Sequence, residues 1–129
     1  MSEPIRKRVL VVEDTESVQV LVKRWIKNEG FEVDLASNGR EALERAATIP
    51  PDLILLDVMM PGLNGYAVCR QLRQHEQTKS TPIIIITALP AAMDSDEGKL
   101  SGANEVIVKP LDREDLMKRI RSYLGSVFT

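Results

Sequence analysis

The stretch "LILLDVMMPGLNG", Leu53 to Gly65, runs four apolar residues into a lone carboxylate, Asp57, and then breaks on Pro61-Gly62. A continuous apolar run, rather than an alternating one, predicts a strand covered on both faces, as in a parallel sheet. The Pro-Gly pair predicts a turn away from the strand end. Asp57 is therefore either a turn initiator or a reactive group delivered to the rim of a sheet.

Working outward, similar runs lie at Val9 to Val12, Phe31 to Leu35, Ile83 to Ile86 and Val106 to Val108. Acids interrupt the Phe31 to Leu35 run, which marks it as an edge strand. Helical patterns separate the runs. Val18, Leu21, Val22, Trp25 and Ile26 follow the spacing of one helix face, and Gly30 supplies a left-handed stop. Asn38 caps a second helix with Glu41 three residues on, ahead of Ala42, Leu43 and Ala46. Tyr66, Val68, Cys69 and Leu72 form the face of a third. The last helix is the most strongly written, with Asp112 and Asp115 at its cap and Leu111 stapled to Leu116. Between Thr87 and Ile107, "LPAAMDSDEGKLSGANE" holds Pro90 and Gly98 with poor periodicity, so a fourth helix there is expected to be short or mobile. Strand and helix alternating five times predict a doubly wound α/β domain. The expectation from 129 residues is a single domain, 1–129, with no internal repeat, no linker and no output domain.

Composition narrows the function classes. Lys and Arg total 17 against 19 Asp and Glu, and the net charge of −2 makes no electrostatic case for nucleic acid or an anionic membrane. Cys69 is the sole cysteine, so no internal disulfide forms, which fits a reducing compartment. The apolar run near the amino terminus is too short for a signal peptide, and the stretch Pro82 to Met93 falls short of a membrane span. The expectation is a soluble, cytoplasmic protein.

In an open parallel sheet, ligands gather at the carboxyl ends of the strands. Glu13 and Asp14 follow the first strand, Asp57 the third, Thr87 the fourth, and Lys109-Pro110 the fifth. One rim then collects three carboxylates, a hydroxyl and an ammonium. Crowded carboxylates repel unless a cation sits among them, and hard oxygen ligands with few protein donors suit Mg²⁺. Zinc is disfavoured, because His75 and Cys69 both fall in the third helical region. A carboxylate nucleophile, a divalent metal, a Lys and a hydroxyl make a phosphoryl-transfer site. Each residue alone has a plainer reading: a turn for Asp57, a helix start for Glu13 and Asp14, a strand end for Thr87, a solvated loop for Lys109. The conjunction at four strand ends carries the argument. Lys118, Arg119 and Arg121 complement the dipole at the end of the last helix rather than forming a nucleic-acid patch.

The segments "VLVVEDTE", "DLILLDVMMPGLNGYAVCRQLR", "TPIIIITA" and "GANEVIVKPL" resemble the receiver domain of bacterial two-component response regulators, over roughly Arg8 to Leu124. The resemblance implies a flavodoxin-like, CheY-like sheet of five parallel strands in the order 2-1-3-4-5 with five helices on its two faces. It implies that Asp57 takes a phosphoryl group from a sensor histidine kinase or a phosphotransfer protein. It further implies that Glu13, Asp14, Asp57 and the main-chain carbonyl of Met59 hold Mg²⁺. By the same likeness Thr87 is the switch hydroxyl, Lys109 pairs with the phosphate, and the Lys109-Pro110 bond is cis. The protein would then be a switch rather than an enzyme, its phosphoryl transfer self-catalysed. It would act on an unnamed partner through the face of the fourth helix, fifth strand and fifth helix, as a monomer or a phosphorylation-dependent dimer. Val106 departs from the family, which often has Tyr or Phe there as a second switch element. Met59 and Leu89 occupy positions that often tune hydrolysis of the phosphoryl group. Their apolar side chains are expected to limit water access and lengthen the phosphorylated lifetime.

The alternative is a pseudo-receiver that binds its partner without phosphorylation, which Val106 favours and the intact Glu13, Asp14, Asp57, Thr87 and Lys109 oppose. A flavodoxin would need a phosphate loop after the first strand, where two acids stand instead. A phosphatase with an aspartyl nucleophile would typically show an Asp-x-Asp pair there.

Overall fold

The reason for the architecture lies in β3 (Leu53–Asp57), buried over its whole length at the centre of a parallel sheet. The computed structural model describes residues 6–57, 65–88 and 102–125. Within them β1 (Arg8–Val12), α1 (Glu16–Asn28), β2 (Glu32–Ala36) and α2 (Gly39–Thr48) precede β3. After it come α3 (Gly65–Gln74), β4 (Ile83–Thr87), β5 (Glu105–Val108) and α4 (Arg113–Leu124). The sheet has the order β2-β1-β3-β4-β5, and every pairing is parallel. The interrupted run is the edge strand β2, as its acids foretold.

Side chains alternate across the sheet and build a core on each face. Leu10, Val12, Ile54, Leu56, Ile83 and Ile85 meet Ala42 and Ala46 of α2 and Val68, Cys69 and Leu72 of α3. Val9, Val11, Leu53, Leu55, Ile84 and Ile86 meet Val22 and Ile26 of α1 and Leu116, Met117 and Ile120 of α4. This double covering is why the central strands read as unbroken apolar runs.

The caps follow local chemistry. The Asn38 side chain accepts a hydrogen bond from Glu41 N at 2.8 Å, and Asp112 accepts from Asp115 N at 3.2 Å. Leu111 packs against the same core cluster that holds Leu116. Gly30, at φ 97°, sits in the left-handed region after α1.

Some expectations need correction. Four helices lie among the described residues rather than five; the segment between Thr87 and Ile107 in which the fourth was expected falls largely outside them. Leu21, read as part of the buried face of α1, is 45% exposed, because the sheet covers only the stripe through Val22 and Ile26. Arg119 and Arg121 do more than complement a helix dipole. Arg119 bridges Asp115 at 3.0 Å and Glu105 at 2.8 Å, and Arg121 reaches Glu29, the residue that caps the end of α1, at 3.0 Å.

Candidate functional site

Register brings the polar strand ends together. Val12 of β1 lies beside Leu56 of β3, so Glu13 emerges level with Asp57. Ile86 of β4 lies beside Asp57, and Thr87 beside Val108 of β5, so Thr87 and Lys109 follow one step further along the same rim. The Lys109 N–H donates to the Thr87 carbonyl at 2.7 Å, which ties the two strand ends. The Lys109-Pro110 peptide is cis, as the resemblance implied.

Carboxylate oxygens of Glu13, Asp14 and Asp57 lie within 4.8 Å of one another. Glu13 and Asp57 are buried, at 3% and 2% exposure, while Asp14 is open to solvent. Lys109 Nζ donates to Asp57 Oδ2 at 3.1 Å and stands 3.8 Å from Glu13 Oε2. Among the described residues one ammonium thus serves two buried carboxylates, and their negative charge exceeds its own. Burial, then the neighbouring Asp57, push the Glu13 carboxyl up to about 7; a hydrogen bond from Thr15 N and the charge of Lys109 pull the other way. Three oxygen-bearing side chains, one of them facing solvent, offer a hydrated divalent ion a seat that would relieve this repulsion. The donor set fits Mg²⁺.

Thr87 is fully buried at the end of β4. Val106 is half-buried against the α2–α3 core and pairs with Ile85 in register. Met59, whose carbonyl was expected to complete the metal site, and Leu89 lie outside the described residues, as do Pro61 and Gly62, where a turn was expected. Cys69 is buried in α3 and His75 is exposed beyond it, so neither joins the site.

Gln19 escapes the sequence reading. Its side-chain amide donates to the Glu13 carbonyl and to Ser37 Oγ at 3.3 Å. It links α1 to the ends of β1 and β2, a role no local pattern signals.

A family model described as the response regulator receiver domain matches residues 9–121. The chain belongs to this family. Receiver domains of response regulators are signalling modules of two-component systems. The Staphylococcus saprophyticus response regulator ArlR is 42% identical over 117 residues, which are 91% of this chain and 52% of ArlR. The receiver chain therefore spans about half the length of that relative. Among solved structures, chemotaxis protein CheY4 of Vibrio cholerae superposes with a TM-score of 0.87 at 34% identity, covering 92% of this chain and 99% of its own. The receiver domain of the Pseudomonas aeruginosa sensor histidine kinase PA1611 superposes with a TM-score of 0.85 at 30% identity, covering 95% of this chain and 100% of its own. That neighbour holds a magnesium ion in its active-site cleft. The receiver's Glu13, Asp14 and Asp57 form a cluster able to hold the same ion.

Proposed function

We propose that this receiver accepts a phosphoryl group on Asp57 and converts the modification into a conformational signal to a partner. The observation that carries the reading is the ion pair of Lys109 with Asp57, 3.1 Å long and set beside Glu13 and Asp14 at the strand ends. In the reaction an Asp57 oxygen bonds to phosphorus as the donor's bond to that phosphorus breaks, giving an acyl phosphate. The donor would be a phosphohistidine of a sensor kinase or phosphotransfer protein, whose imidazole leaves and takes up a proton. Lys109 neutralises the carboxylate before transfer and is placed to hold a phosphoryl oxygen after it. Glu13, Asp14, Asp57 and the Met59 carbonyl would hold Mg²⁺, which would supply charge neutralisation for the transferring oxygens. Thr87, one residue along the same rim, would supply the hydroxyl that moves toward the phosphate. The Thr87–Lys109 backbone bond supports passing that movement to β5 and Val106.

Intact-protein mass spectrometry after incubation with acetyl phosphate tests the reading. The expected result is a gain of one phosphoryl group that requires Mg²⁺ and is absent in Asp57→Asn. Equal gain in Asp57→Asn would place the modification elsewhere and overturn the assignment. Val106, in place of an aromatic, favours the second reading, a module that binds its partner without phosphorylation; undiminished partner binding by Asp57→Ala would support it.

A further inference from the structure

Strand alternation sorts the side chains of β2 to opposite sides of the sheet edge. Val33 and Leu35 pack toward α1, in the cluster of Val9, Val22 and Ile26. Asp34 points the other way, where Arg45 of α2 holds its carboxylate at 2.8 Å, and Glu32 shares that side by the same alternation. The α1 side of the edge is left without acids from β2. There Val20, Lys23, Arg24, Lys27, Asn28 and Leu35 line a shallow groove of about 420 Å³. None of the three cations has an ion-pair partner among the described residues. Of the acids in and beside α1, Glu16 stands at the opposite end of the helix, and Glu29 is taken up by Arg121 at 3.0 Å. Val20 is 52% exposed.

We propose that the α1–β2 groove docks an acidic segment of a partner protein, with an apolar side chain seated between Val20 and Leu35. Carboxylates flanking that anchor would meet Lys23, Arg24 and Lys27. Two observations favour a peptide over other anionic surfaces. The receiver carries a net charge of −2, which works against adhesion to an extended polyanion such as a bilayer or a nucleic acid more than against a short segment that meets only the local cations. A concave seat with an apolar floor and a charged rim suits one anchoring side chain rather than a flat surface. The groove shares no residue with the carboxylate cluster.

Fluorescence anisotropy with a short labelled peptide of glutamates interrupted by leucines tests the proposal. Companion peptides carry serine for leucine or glutamine for glutamate. The expected result is binding of the first peptide, weakened about tenfold or more in each companion and in the triple variant Lys23→Glu, Arg24→Glu, Lys27→Glu. Val20→Ser weakens it as the leucine-free peptide does, and Lys79→Glu, on a distant loop, leaves it unchanged. All substituted side chains are partly or fully exposed, and unchanged circular dichroism with normal phosphoryl uptake at Asp57 would show each variant folded. Undiminished binding by the triple variant, or no binding of the first peptide, would overturn the proposal. So would binding only to phosphatidylglycerol vesicles, which would mark the groove as a lipid contact instead.

Discussion

The strands β4 and β5 carry a polar cluster at each end, and the two clusters are built on opposite principles. At the carboxyl ends, Thr87 and Lys109 meet the carboxylates of Glu13 and Asp57, with more negative charge among the described residues than one ammonium neutralises. At the amino ends, among the described residues, one cation meets neutral acceptors. Arg73 of α3 donates to the carbonyls of Gly102 at 2.9 Å, Thr81 at 2.5 Å, Thr78 at 3.1 Å and Lys79 at 3.3 Å. It also reaches Asn104 Oδ1 at 2.8 Å, which in turn accepts from Ile83 N at 2.9 Å. The Arg73 cluster is satisfied and holds two strands in place. The Asp57 cluster is frustrated, and its repulsion is what a metal ion or a phosphoryl group can act upon. The lesson is that a charged group among polar partners does not by itself mark a reactive site; like charges held close together do.

Removing each cluster should therefore move stability in opposite directions. The largest effect is expected from Arg73→Ala, which strips five acceptors of one donor group. Denaturant unfolding should show a loss of about 2–3 kcal/mol, with phosphoryl uptake at Asp57 retained. A loss of uptake in a variant that remains folded would break the separation of roles.

Gly102→Ala should cost about 1–2 kcal/mol by the same measurement. Its φ is +91°, and an added Cβ would stand 3.0 Å from Arg73 Cγ, so backbone and clamp both suffer.

Glu13→Gln should do the reverse, stabilising the metal-free protein at pH 8 by about 1 kcal/mol. The folded Glu13 carboxyl, raised to about 7 from 4.5, binds a proton more tightly than the unfolded one. Metal-free stability from this group is thus greatest at low pH and declines as pH rises from about 4.5 to about 7. The variant should lose that slope, and with it much of the stabilisation that added Mg²⁺ gives the parent. Thermal unfolding at several pH values, with and without Mg²⁺, measures both. A parent curve that rises over this window would contradict the frustrated-site picture. The smallest change is expected from Arg40→Ala, whose pair with Glu44 is exposed at 89% and 66%; the shift should stay within about 0.5 kcal/mol.

Much of this molecule is legible in one dimension. Runs such as Leu53 to Leu56 encode buried parallel strands because both faces must be apolar, and Asn38 and Asp112 encode helix starts because caps are local chemistry. Asp57, Glu13, Thr87 and Lys109 stand at strand ends, which chain order alone reveals once strands are placed. The sequence by itself thus determined the strands, the caps and the polar rim. Only the tertiary structure decided that Arg73 would meet Gly102 and Asn104, 29 and 31 residues away. It likewise decided that Gln19 would hold the Glu13 carbonyl, that Leu21 would face solvent, and that basic and acidic side chains would part across β2. The physical reason is range: apolar periodicity and capping act within a turn or a strand, whereas charge balance and exposure depend on neighbours brought together by packing.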